Sequence, residues 1–208
     1  MTTISYRGTH DVTIADGAGS FNADLGVAAA DRLIVVFSNT GASGLITSVT
    51  VNGYPLTLFT DGIFFYGFVP DGTEVTISVT AAVSMTAKFG LWAITGTDGV
   101  VADSAYNWTF SATPPLALDC DTISGSAIVC LGLSAFGVGL SGVDVDAAIG
   151  SNFCAGSAIG EEEETPRSIS VTGTVLVAGT ALVFNPSQGG GPPDPPASKA
   201  RSFGFIIH

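Results

Sequence analysis

The dipeptide Asn52-Gly53 constrains this chain more tightly than any other feature. It separates residues 45–51 from residues 54–59, two runs with the composition of β-strands. A two-residue type I′ turn needs positive φ at both central positions, which Asn and Gly accept and β-branched residues resist. Such a turn fixes the register: Val51 faces Tyr54, Val49 faces Leu56 and Thr47 faces Leu58, all on one side. Pro55 then lies opposite Thr50, with its missing N–H directed away from the partner strand. Just before the hairpin, residues 33–37 read Leu-Ile-Val-Val-Phe, a buried-strand run. Beyond it, Pro70-Asp71-Gly72 forms a second turn, with Pro presetting φ and Gly supplying a positive φ. Residues 75–79 alternate strictly, which points Val75, Ile77 and Val79 inward.

Strand-like segments also cover residues 4–6, 11–14, 21–25, 89–95, 106–110, 127–135, 152–159 and 203–207. Residues 63–69 carry Phe64, Phe65, Tyr66 and Phe68, so both faces are apolar. That pattern fits a central strand or an intersubunit strand. Residues 171–184 read as one long strand or as a hairpin bent at Gly179. Residues 138–146, rich in Gly and Asp, are expected to be irregular. Residues 187–196 are dominated by Gly and Pro and cannot pair in a sheet. Short strands, regular turn signals and little helical periodicity predict an all-β protein: an antiparallel β-sandwich, jelly-roll-like. The expected organisation is one sandwich domain over residues 1–208, with an exposed Gly/Pro-rich loop at 185–200. No repeat of fixed period is visible.

Charged residues make up only 12% of the chain, while mean hydropathy is +0.50. So little charge implies a surface partly covered by neighbours, or a neutral Ser/Thr/Gly surface. The net charge of −12, with six scattered basic residues, argues against nucleic acid and against acidic membranes. No apolar run reaches the ~18 residues that would cross a bilayer as a helix. The first residues lack the apolar core of a signal peptide, so synthesis in the cytoplasm is expected. Cys120, Cys130 and Cys154 are then free thiols, and a Cys120–Cys130 bridge is disfavoured.

Catalytic signals are sparse. His10 has no nucleophile in its sequence context, and His208 is the last residue. The cysteines lack zinc-ligand spacing. Asp119 and Asp121 alternate, as do Asp144 and Asp146, without the loop pattern that calcium prefers. As a glycosidase pair they would need an aromatic-lined cleft. Glu161, Glu162, Glu163 and Glu164 read as a solvated acidic loop. Gly137 to Gly142 lacks the βαβ context of a dinucleotide site. Asn107-Trp108-Thr109 has the form of a glycosylation acceptor and lacks a secretion signal. Trp92, Tyr106 and Trp108 are candidates for a sugar platform or for core packing. The expectation is a non-enzyme with no catalytic residue, no cofactor and no metal.

Residues 31–37 (Asp-Arg-Leu-Ile-Val-Val-Phe), 49–56 (Val-Thr-Val-Asn-Gly-Tyr-Pro-Leu) and 91–96 (Leu-Trp-Ala-Ile-Thr-Gly) resemble small β-sandwich virion proteins of tailed bacteriophages. That group includes head-decoration (cement) proteins, fibres and tail-associated sandwich domains. The resemblance implies a virion structural protein, foremost a capsid decoration protein bound to the major capsid protein or to other virion proteins. It also implies a homo-oligomer such as a trimer. A tail- or fibre-associated domain and a lectin-like carbohydrate-binding module are the alternatives. An apolar contact that survives high salt is favoured over one held by the acidic loops.

Overall fold

A computed structural model describes residues 1–40, 45–59, 63–109, 115–149 and 152–188. It is all-β, with no helix among the described residues. The first nine strands are β1 (Thr3–Ile14), β2 (Ala18–Asp24), β3 (Leu33–Asn39), β4 (Ile46–Val51), β5 (Tyr54–Pro55), β6 (Thr57–Phe59), β7 (Phe64–Phe68), β8 (Glu74–Ala81) and β9 (Met85–Thr95). The remaining eight are β10 (Thr97–Thr109), β11 (Leu116–Thr122), β12 (Ala127–Ser134), β13 (Gly139–Ser141), β14 (Asp144–Ile149), β15 (Phe153–Ile159), β16 (Glu164–Thr172) and β17 (Val177–Pro186).

All the sheets are antiparallel. The first nine strands build an inner sheet, β1-β9-β3-β7-β6, and an outer sheet, β2-β8-β4-β5. The last eight build an inner sheet, β10-β17-β12-β15-β14, and an outer sheet, β11-β16-β13. In each half the first strand pairs with the last, the second with the penultimate, and the third with the last again. This is jelly-roll connectivity. The chain therefore repeats one topology twice, although its sequence shows no fixed period.

Three cores separate four layers. Ile34, Val36, Val49, Ile77, Phe89 and Leu91 belong to the core of the N-terminal roll. Leu118, Cys120, Ile128, Cys130, Ile169 and Val183 belong to that of the C-terminal roll. Between the inner sheets, Leu33, Val35, Phe37, Phe64, Trp92 and Ile94 meet Val129, Leu131, Leu182 and Phe184. Strands β3 and β12 are therefore buried on both faces, which is why each reads as a continuous apolar run. The burial of so many strands on two sides also accounts for the low charge. Phe65 packs into the N-terminal core, while Phe64, Tyr66 and Phe68 face the middle core. The apolar strand is thus a central one, covered within its own chain.

The Asn52-Gly53 turn forms as expected, with φ of 50° and 85°. Thr50 pairs with Pro55 and Val51 with Tyr54. Past Leu56 the chain leaves the outer sheet, and β6 pairs with β7 in the inner one. The expected Thr47–Leu58 pair is therefore not made. Residues 138–146 are not irregular: they supply β13 and the start of β14. The bend in 171–184 falls at residues 173–176, not at Gly179, which lies inside β17. Asn185 and Pro186 belong to β17, and the rest of the Gly/Pro-rich stretch beyond Gln188, like residues 203–207 and His208, lies outside the described residues.

Two features pin the rolls together. Gly96 links β9 directly to β10. Its N–H donates to Asp31 Oδ2 at 2.8 Å, and its carbonyl accepts from the Ser187 N–H at 2.8 Å. Trp92 of the first roll donates from Nε1 to Asp146 Oδ2 of the second at 2.7 Å. A buried indole N–H without a partner would be costly, so this bond is part of what fixes the face-to-face packing.

Candidate functional site

The inner sheets part at one end of the middle core and leave a trough of about 180 Å³. Its floor is set by register. Tyr106, Thr180, Leu131 and Ala155 form one cross-strand row, and Trp108, Ala178, Leu133 and Phe153 form the next. Residues in such a row share a face of the sheet. β17 contributes the small residues Ala178, Gly179 and Thr180 between larger neighbours, and that difference in size makes the concavity. Ser38 and Asn39 at the end of β3, together with Ile63, form the opposite wall. Tyr106 and Trp108 project from the edge strand β10 and are 57% and 50% exposed. Thr180 is buried, and its hydroxyl has no hydrogen-bond partner.

This lining suits a small apolar or ring-shaped group with a few hydroxyl contacts. Among the described lining residues it presents hydroxyls of Ser38, Tyr106 and Thr180 and no imidazole, thiol or carboxylate. Sequence reasoning found Tyr106 and Trp108 but missed Leu133, Phe153, Ala178 and Thr180. The available signal was the run of small residues inside a strand otherwise made of large ones.

The other singled-out residues are dispersed. Trp92 is fully buried, which removes it from any sugar platform. His10 stacks on Phe21 with ring centroids 4.8 Å apart. Burial lowers its pKa, against a hydrogen bond with the Arg7 backbone that raises it. All three cysteines are free and buried. The Cys120 thiol is pushed up to about 11 by burial and then by Asp103 and Asp119, while Cys130 and Cys154 are raised chiefly by burial. Asp119 accepts a hydrogen bond from Ser168 Oγ at 2.7 Å on the outer C-terminal sheet. Asp144 and Asp146 lie on β14 of the inner one, where Asp146 is held by Trp92. The two aspartate pairs thus sit on different sheets, and neither lines the trough. Glu161, Glu162 and Glu163 are exposed, and Glu164 pairs with Arg167 at 3.2 Å. Asn107 is engaged with the carbonyl of Ala117 at 3.1 Å. No helix among the described residues is long and apolar enough to cross a membrane.

No family model matches the sequence, and no curated protein matches it. Among solved structures the chain is similar to a conserved protein of unknown function from Pseudomonas aeruginosa PAO1. The identity is 13% and the TM-score 0.38, over 89% of this chain and 100% of that one. It is also similar to the major capsid protein of bacteriophage PM2. Here the identity is 12% and the TM-score 0.28, over 90% of this chain and 100% of that one. At these scores neither likeness bears on what this chain does, and the jelly-roll assignment rests on its own strand pairing.

Proposed function

We propose that this chain is a non-enzymatic virion structural protein, a decoration protein that sits on the shell formed by a major capsid protein. The observation that supports this reading is the unequal chemistry of the two outward faces. On the outer N-terminal sheet, exposed Ser20 and Ser78 form one row with half-buried Thr50, and Ala18, Thr80 and Ser48 form another, exposed throughout. That face is neutral until its end, where Asp24 pairs with Glu74. The outer C-terminal sheet instead exposes Asp119 and Asp121, with Glu161, Glu162 and Glu163 in the loop before β16. Residues 97–188 hold ten acidic residues and one basic residue, against seven and three in residues 1–95. A rigid slab with one neutral and one acidic face has a built-in orientation on a shell.

Because Phe64–Phe68 is covered within the chain, the acidic face replaces it as the favoured contact, with basic patches on the capsid protein as partner. Purified particles washed at rising salt test this. The protein should be present before washing and released near ~1 M salt, where the Debye length falls to about 3 Å. Its absence from unwashed particles ends the reading. Retention at high salt restores an apolar contact.

A second reading, binding of a neutral sugar, is favoured by the adjacent exposed rings of Tyr106 and Trp108 beside the trough. A glycan signal lost in Trp108→Ala while particle binding persists would support it.

A further inference from the structure

The middle core thins along one strand. On the face that β17 turns toward it, Phe184 and Leu182 are fully buried, whereas the next two positions of that face hold the small side chains of Thr180 and Ala178. Sheets packed face to face stand about 10 Å apart and fill the gap with two layers of side chains. Where one layer shrinks, a slot about one ring thick remains, and this slot is the trough of about 180 Å³. An apolar cavity of ~150 Å³ already admits benzene. Leu131 and Leu133 flank the slot on one side and Tyr106 and Trp108 on the other, each in register with Thr180 or Ala178. On β17 itself the polar group is that of Thr180. Thr180 is 4% exposed, it borders the trough, and its hydroxyl has no hydrogen-bond partner. Leaving a buried hydroxyl unpaired is costly, and a ligand group that both donates and accepts would satisfy it. No charged side chain is among the described lining residues, and the chain carries a net charge of −12. A carboxylate or phosphate on the ligand is therefore disfavoured.

We propose that the trough binds a neutral phenol ring, held between the two inner sheets with its hydroxyl on Thr180 Oγ1. Leu131, Leu133 and Phe153 meet the apolar part of the ring, and Tyr106 and Trp108 cover its open edge. The same chemistry is offered by a free small phenol and by a tyrosine side chain of a partner protein. A pyranose fits this slot less well, because it carries hydroxyls around its rim and the apolar flanks would leave most of them unpaired. In the sugar reading the outward faces of Tyr106 and Trp108 do the binding, so the phenol site does not depend on it.

The full chain is titrated with 4-fluorophenol, and binding is followed by the fluorine NMR signal of the ligand. The signal should shift saturably, and fluorobenzene, which lacks the hydroxyl, should bind roughly fivefold more weakly. Thr180→Val keeps the shape and removes the hydroxyl, so the ratio of the two affinities should fall to about one. Ala178→Leu fills the slot and should abolish binding of both ligands, while Ser78→Ala on the outer N-terminal sheet should change nothing. Circular dichroism checks that each variant is folded, and Thr180→Val decides the matter if Ala178→Leu is not. Displacement by N-acetyl-tyrosinamide separates the sources: success identifies a tyrosine side chain as the ligand, and failure identifies a free phenol. A flat response up to about 10 mM 4-fluorophenol would overturn the site, because a ring that fills its pocket binds more tightly than that. So would equal binding of fluorobenzene to the parent chain, an unchanged ratio in Thr180→Val, or undiminished binding in folded Ala178→Leu. Tighter binding of methyl β-glucoside than of 4-fluorophenol would overturn it in favour of the sugar.

Discussion

The two rolls share a topology but fill it differently. The N-terminal core is built from bulky side chains such as Ile34, Ile77, Phe89 and Leu91. The C-terminal core uses Cys120, Cys130 and Ala181, and its sheets close in over glycine. A Cβ placed on Gly179 would lie 2.6 Å from Val171 Cγ2, closer than side chains tolerate. The buried charge differs as well. In the first roll Arg32 is 1% exposed. Its guanidinium donates to the carbonyls of Val69, Gly26, Val27, Asp71 and Gly72 at 2.7–3.3 Å, clamping two loops to β3. In the second, Arg167 lies near the surface on Glu164 and the Gly142 carbonyl. The strand order of a jelly roll therefore leaves side-chain volume and charge free. Only the middle core, which both rolls must cover, restricts both to continuous apolar strands.

The sharpest way to break this comparison is Trp92→Ala. The ring packs against Tyr6, Phe37 and Phe64, and its N–H holds Asp146. Its loss should cost about 3–5 kcal/mol. Chemical denaturation followed by far-ultraviolet circular dichroism should still show one transition, because both rolls rest on that core. Two separated transitions would mean that the rolls hold together independently. Next, Arg32→Met should cost about 2–3 kcal/mol, since buried carbonyls lose their donors. Arg167→Met, at a partly exposed ion pair, should cost no more than ~1 kcal/mol. Equal costs would remove the difference in buried charge.

Glycines give a finer test. Gly179→Ala should cost about 1–3 kcal/mol through overpacking. Gly53→Val should cost ~1 kcal/mol through backbone strain at positive φ, because nothing lies within 4 Å of the added Cβ. Melting curves that ranked them the other way would contradict the close approach of the C-terminal sheets.

The smallest effect concerns pH. The folded pKa of His10 lies below the ordinary 6.5, so the unfolded chain takes up that proton first as pH falls. The associated stability is full above 6.5 and is lost as pH falls through the lower folded value. His10→Gln should therefore lose less Tm than the parent between about pH 7 and 5. Identical losses would show that His10 is not buried against Phe21 as described.

Much of the fold was legible because its causes are local. Asn52-Gly53 dictates positive φ, Pro55 falls on the outward N–H side opposite Thr50, and alternation in β8 places Val75, Ile77 and Val79 in a core. Each of these is settled within a few residues of chain. Long-range packing decided the rest. Whether the strand after Leu56 stays in its sheet or crosses to the next depends on β7. Trp92 and Trp108 look alike in sequence, and only the position of β9 in the middle of a stack and of β10 at an edge separates a buried tie from an exposed ring. The duplication of the roll is likewise invisible in sequence, because strand order constrains where apolar residues fall and not which ones they are. The amino-acid sequence by itself determined turns, strand faces and the excess of apolar surface. The tertiary structure decided which faces meet, and burial on both sides of the inner sheets is the physical reason that so apolar a chain closes on itself.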